Sequence, residues 1–408
     1  MALEMAGAKD GTGFMGGIGT FFSGGHSKSG SRLSGKGNVF SDLYLSQLIP
    51  AALLIIVGIV TIYSASLTIS EANFPKHLIG IAIGIVAAAV VWRYDYRALA
   101  NMSTALLVID CVLMLLPKVP GLGYSAKGMT GWVQIPLIHQ TLQPSEFAKL
   151  VTIFLMASVA AQFNGKISSL RDYVRVCATL CLPFGLILIL PDLGTGLIIL
   201  AIGATIIVCA GAKRNWVLVT IALIVVGATL VVATSMIDGL PHLLKEYQLN
   251  RLIVFVDPSV DPTGDGYNLQ QAKIAVGSGG ILGKGFGNAT QAGNGFLPEA
   301  QTDFVFALFA EQFGFVGSVI MLGLFAWMIF STIMLAMKMD STFSKLVLVG
   351  CVAMWTFQVL EEVGMCIGIM PITGIPLPFI SFGSSSMVAQ IISVGIVQSV
   401  WRHRQKSA

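Results

Sequence analysis

The chain has 408 residues, of which 55% are hydrophobic and only 11% charged, with a mean hydropathy of +0.82. A soluble globular chain carries roughly a quarter charged residues, so this composition excludes an ordinary soluble enzyme and points into a membrane. The formal net charge of +4 gives no reason to expect a nucleic-acid partner.

Residues 1–40 are rich in Gly and Ser with scattered Lys and Arg, and hold no apolar stretch of the kind a signal peptide needs. They read as a disordered cytoplasmic tail, leaving 41–408 as one transmembrane domain. A helix crossing a bilayer needs about 20 apolar residues. Ten segments meet this expectation, at 47–68, 77–92, 98–116, 144–162, 174–190, 193–212, 215–236, 304–337, 345–370 and 382–401. The fifth and sixth are parted by Pro191-Asp192 alone, and the eighth is long enough to tilt or to project beyond the membrane.

Basic residues collect in cytoplasmic connections. With the N-terminal tail inside, alternation puts sixteen of the 24 Lys and Arg on that face, including Arg93, Arg97, Lys166, Arg171, Arg175, Lys213, Arg214, Lys338, Lys345, Arg402 and Arg404. The predicted fold is therefore an all-α polytopic membrane protein of about ten transmembrane helices, with both termini cytoplasmic. Two long connections then lie outside, about 117–143 and 237–303, the second a large extracytoplasmic loop between helices 7 and 8. Long loops are uncommon unless they do something, so chemistry is expected there. The segment Pro371 to Pro378 holds three prolines and cannot be regular helix; it reads as a re-entrant loop flooring an outer cleft, since non-helical backbone at membrane depth survives only against protein or a cavity.

The six cysteines lie in or beside apolar runs without a CxxC pair, and the five histidines, among them His77 and His242, show no ligand spacing. Asp257, Asp261 and Asp265 are four apart, which does not match the alternation of a calcium loop; turn formation is the better reading. Glu146 and Lys149 share one helix face at the outer end of the fourth span. They are either a pair that tolerates insertion or a polar lining of a cleft. Arg251, Lys273 and Lys284 sit among the glycines of the large loop and could meet an anion, or simply be solvated. Thr302-Asp303 before an apolar run reads equally as a helix N-cap. Asp192, Glu311, Glu361 and Glu362 are further acids at or within spans.

Four stretches carry a family resemblance: QPSEFAKL from Gln143, PDLGTG from Pro191, the long run from Asp261 through Gly317 that contains KIAVGSGG and GFLPEAQTDF, and GIMPITGIPLPFISFGSSS from Gly368. In this order they resemble the signature segments of SEDS (shape, elongation, division and sporulation) glycosyltransferases, with the run from Lys273 closer to the RodA branch than to FtsW. The resemblance covers the chain after residue 45. Departures are GMTGWVQIP without the usual arginines, Ser384 at a usual glycine, and Glu362 where an amide is common.

The resemblance implies a peptidoglycan glycosyltransferase that polymerises lipid II at the outer face of the cytoplasmic membrane, for elongation and shape. Asp303 would be the catalytic residue, a general base taking the proton of an attacking sugar 4-hydroxyl in an inverting transfer. Glu146, Lys149 and Asp192 would line the substrate site; an anionic lipid pyrophosphate makes the loop cations Arg251, Lys273 and Lys284 candidate substrate-binding residues, and Thr302 and Ser385 join that set. It also implies Mg²⁺ or Mn²⁺ as a cofactor, although no residue cluster identifies its ligands, and a class B penicillin-binding protein as transpeptidase partner. The rival expectations are a lipid II flippase or transporter, which ten spans and intramembrane acids suit, and a non-catalytic elongation scaffold.

Overall fold

The computed structural model describes residues 42–404, except 127–128, 136–139, 191, 238–243 and 245. The predicted tail at 1–40, Pro191, His242 and Lys406 lie outside the described residues. The chain runs through α1 (Leu45–Ser66), α2 (Phe74–Arg93), α3 (Ser103–Leu115), β1 (Gly123–Ala126), β2 (Met129–Ile135), β3 (Gln140–Leu142) and α4 (Pro144–Ala161). It continues through α5 (Leu170–Ile189), α6 (Leu193–Cys209), α7 (Arg214–Ser235), α8 (Glu246–Val256), α9 (Asp265–Ser278), α10 (Thr290–Gly293), α11 (Val305–Met337), α12 (Thr342–Ile367) and α13 (Ser384–Arg402). Eight of these helices are long and apolar enough to cross a membrane, and the apolar α6 and α3 are shorter, at 17 and 13 residues. Each of the ten predicted segments is a helix or contains one.

Helix starts follow local chemistry. Asn73 accepts the Lys76 N–H at 3.0 Å at the head of α2, where Pro75 sits in the first turn, and Asp192 accepts the Thr195 N–H at 3.0 Å at the head of α6. α4 and α12 form the middle of the bundle: α4 buries nearly every residue from Pro144 to Ala160. By contrast, Ser235 is the one buried residue of α7, whose Leu218, Leu223 and Val226 point outward as a lipid-facing helix must. α2 and α13 lie close because the small residues Gly84 and Gly395 meet the opposite helix at Ile391 and Ala88.

Two features were not legible as spans. The first outer connection folds as a three-stranded antiparallel sheet, Gly123 opposite Val133 and Val133 opposite Leu142, instead of an irregular loop. The second lies inside α11, which is broken at Gly314 (φ 66°, ψ −164°). The backbone groups freed by the break are met by the loop after α9. Lys284 and Gly285 N–H donate to the Glu311 and Gln312 carbonyls at 2.9 and 3.0 Å. Phe315 and Val316 N–H donate to Gly280 and Ile281 at 2.9 and 3.0 Å. A positive φ suits glycine alone at little cost, and a broken helix in a membrane survives where protein covers it. The length of the eighth span is thus resolved by a break, which separates a nine-residue outer piece from the spanning piece.

Candidate functional site

The site is built around the turn at Glu299–Phe304, which precedes α11. Glu299 adopts a left-handed conformation (φ 54°), and its carbonyl accepts the N–H of Thr302 and Asp303 at 3.1 and 3.0 Å. Its carboxylate accepts the Thr302 hydroxyl at 3.0 Å. The proline-rich segment clamps this turn from the other side. Ser381 Oγ donates to the Thr302 carbonyl at 2.8 Å and accepts from Leu377 N–H at 2.9 Å, while Phe382 N–H donates to the Gln301 carbonyl at 2.8 Å. That segment is itself non-helical from Pro371 to Leu377, as its prolines require. Phe379 holds φ 63° within it, and its carbonyl packs against Gly58 of α1, where any Cβ would collide.

Asp303 is half-buried, with its carboxylate beside Gly374: a Cβ there would lie 3.3 Å from Oδ2. The side chain that caps the first turn of α11 comes from α12, where Glu362 Oε1 accepts the Phe306 N–H at 3.0 Å. The next residue back in the proline segment, Thr373, joins three other elements. Its carbonyl accepts Arg251 Nη1 of α8 at 3.4 Å and lies against Gly194 of α6, and its hydroxyl donates to Glu361 of α12 at 2.9 Å. Arg251 also pairs with Asp265 at 3.4 Å, a distance that leaves the guanidinium loosely held and about one-third exposed.

Asp192 lies next to this junction, two residues before Gly194, with Ser145 Oγ donating to its Oδ2 at 3.4 Å. Ser145 leads to Glu146 and Lys149, an ion pair of 2.8 Å with essentially no exposure on either partner. Ser385 Oγ accepts the Gln143 N–H at 3.0 Å and so ties α13 to the head of α4. Thus Asp303, Thr302, Arg251 and Asp192 gather around residues 373–381, with Ser385 and the Glu146–Lys149 pair adjoining.

The other two expected cations have neighbours of their own. Lys273 of α9 lies against Gly368 at the end of α12. Lys284 is held by Glu311 at 2.6 Å and Thr290 at 2.7 Å, and Glu311 also accepts the Thr290 and Gln291 N–H groups, in a knot that seats the loop on broken α11. The three acids read as turn formers behave so in part. Asp257 accepts from Ser259, and Asp261 from Asn250 and the Gly264 and Asp265 N–H groups, which holds both carboxyls below their ordinary range. Asp265 instead faces Arg251. Sequence reasoning passed over Thr373 and Gln301, and also Asp110, which accepts the Thr152 hydroxyl at 2.8 Å inside the bundle. An acid in a 13-residue apolar helix was the available signal for the last.

Among the described residues no group of three or more His, Cys, Asp or Glu side chains converges as a metal site. Chemically, the arrangement offers the Asp303 carboxylate on a hydrogen-bonded turn, a guanidinium nearby, and a stretch of non-helical backbone at residues 371–377.

A family described as a cell cycle protein family, FtsW/RodA/SpoVE, matches residues 45–406. Among its relatives, a probable peptidoglycan glycosyltransferase FtsW from Trichlorobacter lovleyi is 30% identical, over 84% of this chain and 89% of its own. Stage V sporulation protein E of Bacillus subtilis is 32% identical over 86% and 94%, and the peptidoglycan glycosyltransferase MrdB of Escherichia coli is 32% identical over 87% and 94%. Of solved structures, a chain from a peptidoglycan synthase complex that coordinates polymerization and crosslinking is similar at a TM-score of 0.75, with 26% identity over 89% of this chain and 99% of that one. The rod shape determining protein RodA of Thermus thermophilus is similar at 0.64, with 25% identity over 89% and 98%. The chain is a polytopic membrane protein and belongs to the FtsW/RodA/SpoVE family.

Proposed function

We propose that this chain is a peptidoglycan glycosyltransferase that polymerises lipid II at the outer face of the cytoplasmic membrane, with both termini inside. Relatives named peptidoglycan glycosyltransferase, matched over most of their length, support the activity. The observation that carries the mechanism is the Asp303 carboxylate, fixed on the turn ahead of α11 and facing the glycine of the proline segment.

A sugar hydroxyl attacks poorly unless its proton is taken as the new bond forms. Asp303 takes that proton from the acceptor's 4-hydroxyl, whose oxygen attacks the anomeric carbon of the donor. The bond from that carbon to the polyprenyl pyrophosphate breaks, and the pyrophosphate leaves as an anion without a second acid. One displacement inverts the donor's linkage. Arg251 binds the pyrophosphate by exchanging its 3.4 Å contacts to Asp265 and Thr373 for shorter bonds to phosphate oxygens. Mg²⁺ or Mn²⁺ would be a natural companion of that anion, with the pyrophosphate itself able to supply ligands. A transpeptidase of the class B penicillin-binding type fits as partner, since the similar chain in the synthase complex belongs to an assembly that couples polymerization to crosslinking.

The test is to purify the protein, supply fluorescent lipid II and a divalent ion with and without that partner, and resolve glycan products on a gel. Ladders of polymer are expected. Movement of lipid II across a vesicle membrane with no polymer under any condition would overturn the reading in favour of a flippase.

A further inference from the structure

Next to the Asp303 turn, three residues linked through Phe382 and α2 carry polar groups that the reaction above does not use. His77 of α2 is 1% exposed, yet neither ring nitrogen has a hydrogen-bond partner among the described residues. Its ring stacks on Phe382, with centroids 6.1 Å apart. Phe382 N–H holds the carbonyl of Gln301, whose side-chain Oε1 is buried without a partner. Two residues beyond Phe382, the Ser384 hydroxyl is buried and unpartnered as well, where α2 touches it at Gly80. A buried donor or acceptor left unmet costs about as much as a lost hydrogen bond. Four such atoms, on three residues linked through Phe382 and α2, form a set whose bonding capacity no described residue takes up.

The chemistry of the set is neutral and mixed. An uncharged imidazole offers one donor and one acceptor, a hydroxyl offers both, and the amide oxygen accepts. Phosphate recognition calls for guanidinium, ammonium or clustered backbone N–H groups, and none of the four atoms is of that kind. A sugar presents hydroxyl and acetamido groups that match a mixed donor and acceptor set, and its apolar ring face suits an aromatic such as Phe382.

We propose that His77, Ser384 and Gln301 form a neutral subsite beside the Asp303 turn that binds a headgroup sugar of the lipid-linked substrate through a hydroxyl or N-acetyl amide. The inference rests on the glycosyltransferase reading. Binding through Gln301 would also fix the turn two residues before Asp303, so that the sugar is seated and the base aligned by one contact.

Binding is measured without turnover, in Asp303→Asn protein, with two probes: lipid II and undecaprenyl pyrophosphate, which lacks the sugar. His77→Phe keeps the stacked ring and removes both nitrogens. It is expected to weaken lipid II about tenfold, the effect of one buried hydrogen-bonding group losing its partner, and to leave undecaprenyl pyrophosphate within about twofold. His77→Gln keeps a donor and an acceptor and should recover most of the loss. Unchanged lipid II binding by a folded His77→Phe protein would overturn the subsite, leaving the imidazole as packing. Equal weakening of both probes by both variants would overturn it too, as structural damage. If the Asp303→Asn protein itself binds no lipid II and the wild type makes no polymer, the glycosyltransferase reading fails first, and the subsite with it.

Discussion

Replacing Lys149 with Met removes one half of an ion pair that the bundle encloses completely. Lys149 is 0% exposed and Glu146 2%, and the Glu146 Oε2 atom has no partner among the described residues, so none of them takes over when the ammonium is gone. Breaking a buried pair from one side costs roughly 3–5 kcal/mol. At about 1.4 kcal/mol per factor of ten, that shifts the folded ratio more than a hundredfold. Removing both charges as Glu146→Gln with Lys149→Met leaves no stranded charge, and most of the stability returns. The assay is unfolding of wild type, both single variants and the double variant in one detergent. A double variant more stable than either single one is expected. Lys149→Met unfolding at the wild-type midpoint would refute the reasoning, because it would mean the pair meets water.

Lys284→Met should lower the unfolding midpoint while leaving the KM for lipid II within about twofold, since the ammonium is spent on Glu311 and Thr290; a tenfold rise in KM at unchanged stability would return Lys284 to the substrate. Gly58→Ala puts a methyl where the Phe379 carbonyl lies, and overpacking of this kind costs about 1–3 kcal/mol. Polymerisation should fall with stability, because that carbonyl belongs to the segment that clamps the Asp303 turn. The Asp261 carboxyl is held below its ordinary value of 3.8 by Asn250 and backbone N–H groups. A depressed folded value stabilises above the unfolded one and is lost as pH falls through the folded value. Protection of the Gly264 and Asp265 amides, taken relative to the intrinsic exchange rate at each pH, should therefore hold down to the ordinary carboxyl range and fall away below it, and in Asp261→Asn this acid step should be absent.

Much of the fold was legible because apolar length is the dominant signal in a membrane chain. The break in α11 was not: the apolar run passes through Gly314 without interruption, and the backbone that satisfies it comes from Gly280–Gly285, some thirty residues earlier. The strands at 123–142 are too short, at three to seven residues, for an alternation to stand out. In the site, Asp303 and Asp192 came from motifs and Arg251 from its charge in the large loop, and the structure brings them to one segment. Their spacing along the chain says nothing of Thr373, which joins α6, α8 and α12 through its own backbone and hydroxyl. Nor does it say which cation is engaged by a buried acid, as Lys284 is. His77 had no ligand spacing in sequence because its companions, Gln301 and Ser384, lie more than two hundred residues away.

The most direct measurement is the initial rate of glycan polymerisation from lipid II by wild type, Asp303→Asn and Asp303→Glu, each shown to be folded and to bind lipid II. Loss of the general base is expected to cost at least a hundredfold in Asp303→Asn, within the range of about 10²–10⁴ that a positioned base contributes. Asp303→Glu should retain a trace of activity through its carboxylate. Polymer made by Asp303→Asn at the wild-type rate would contradict the assignment and move the base to another acid of the same end of the bundle.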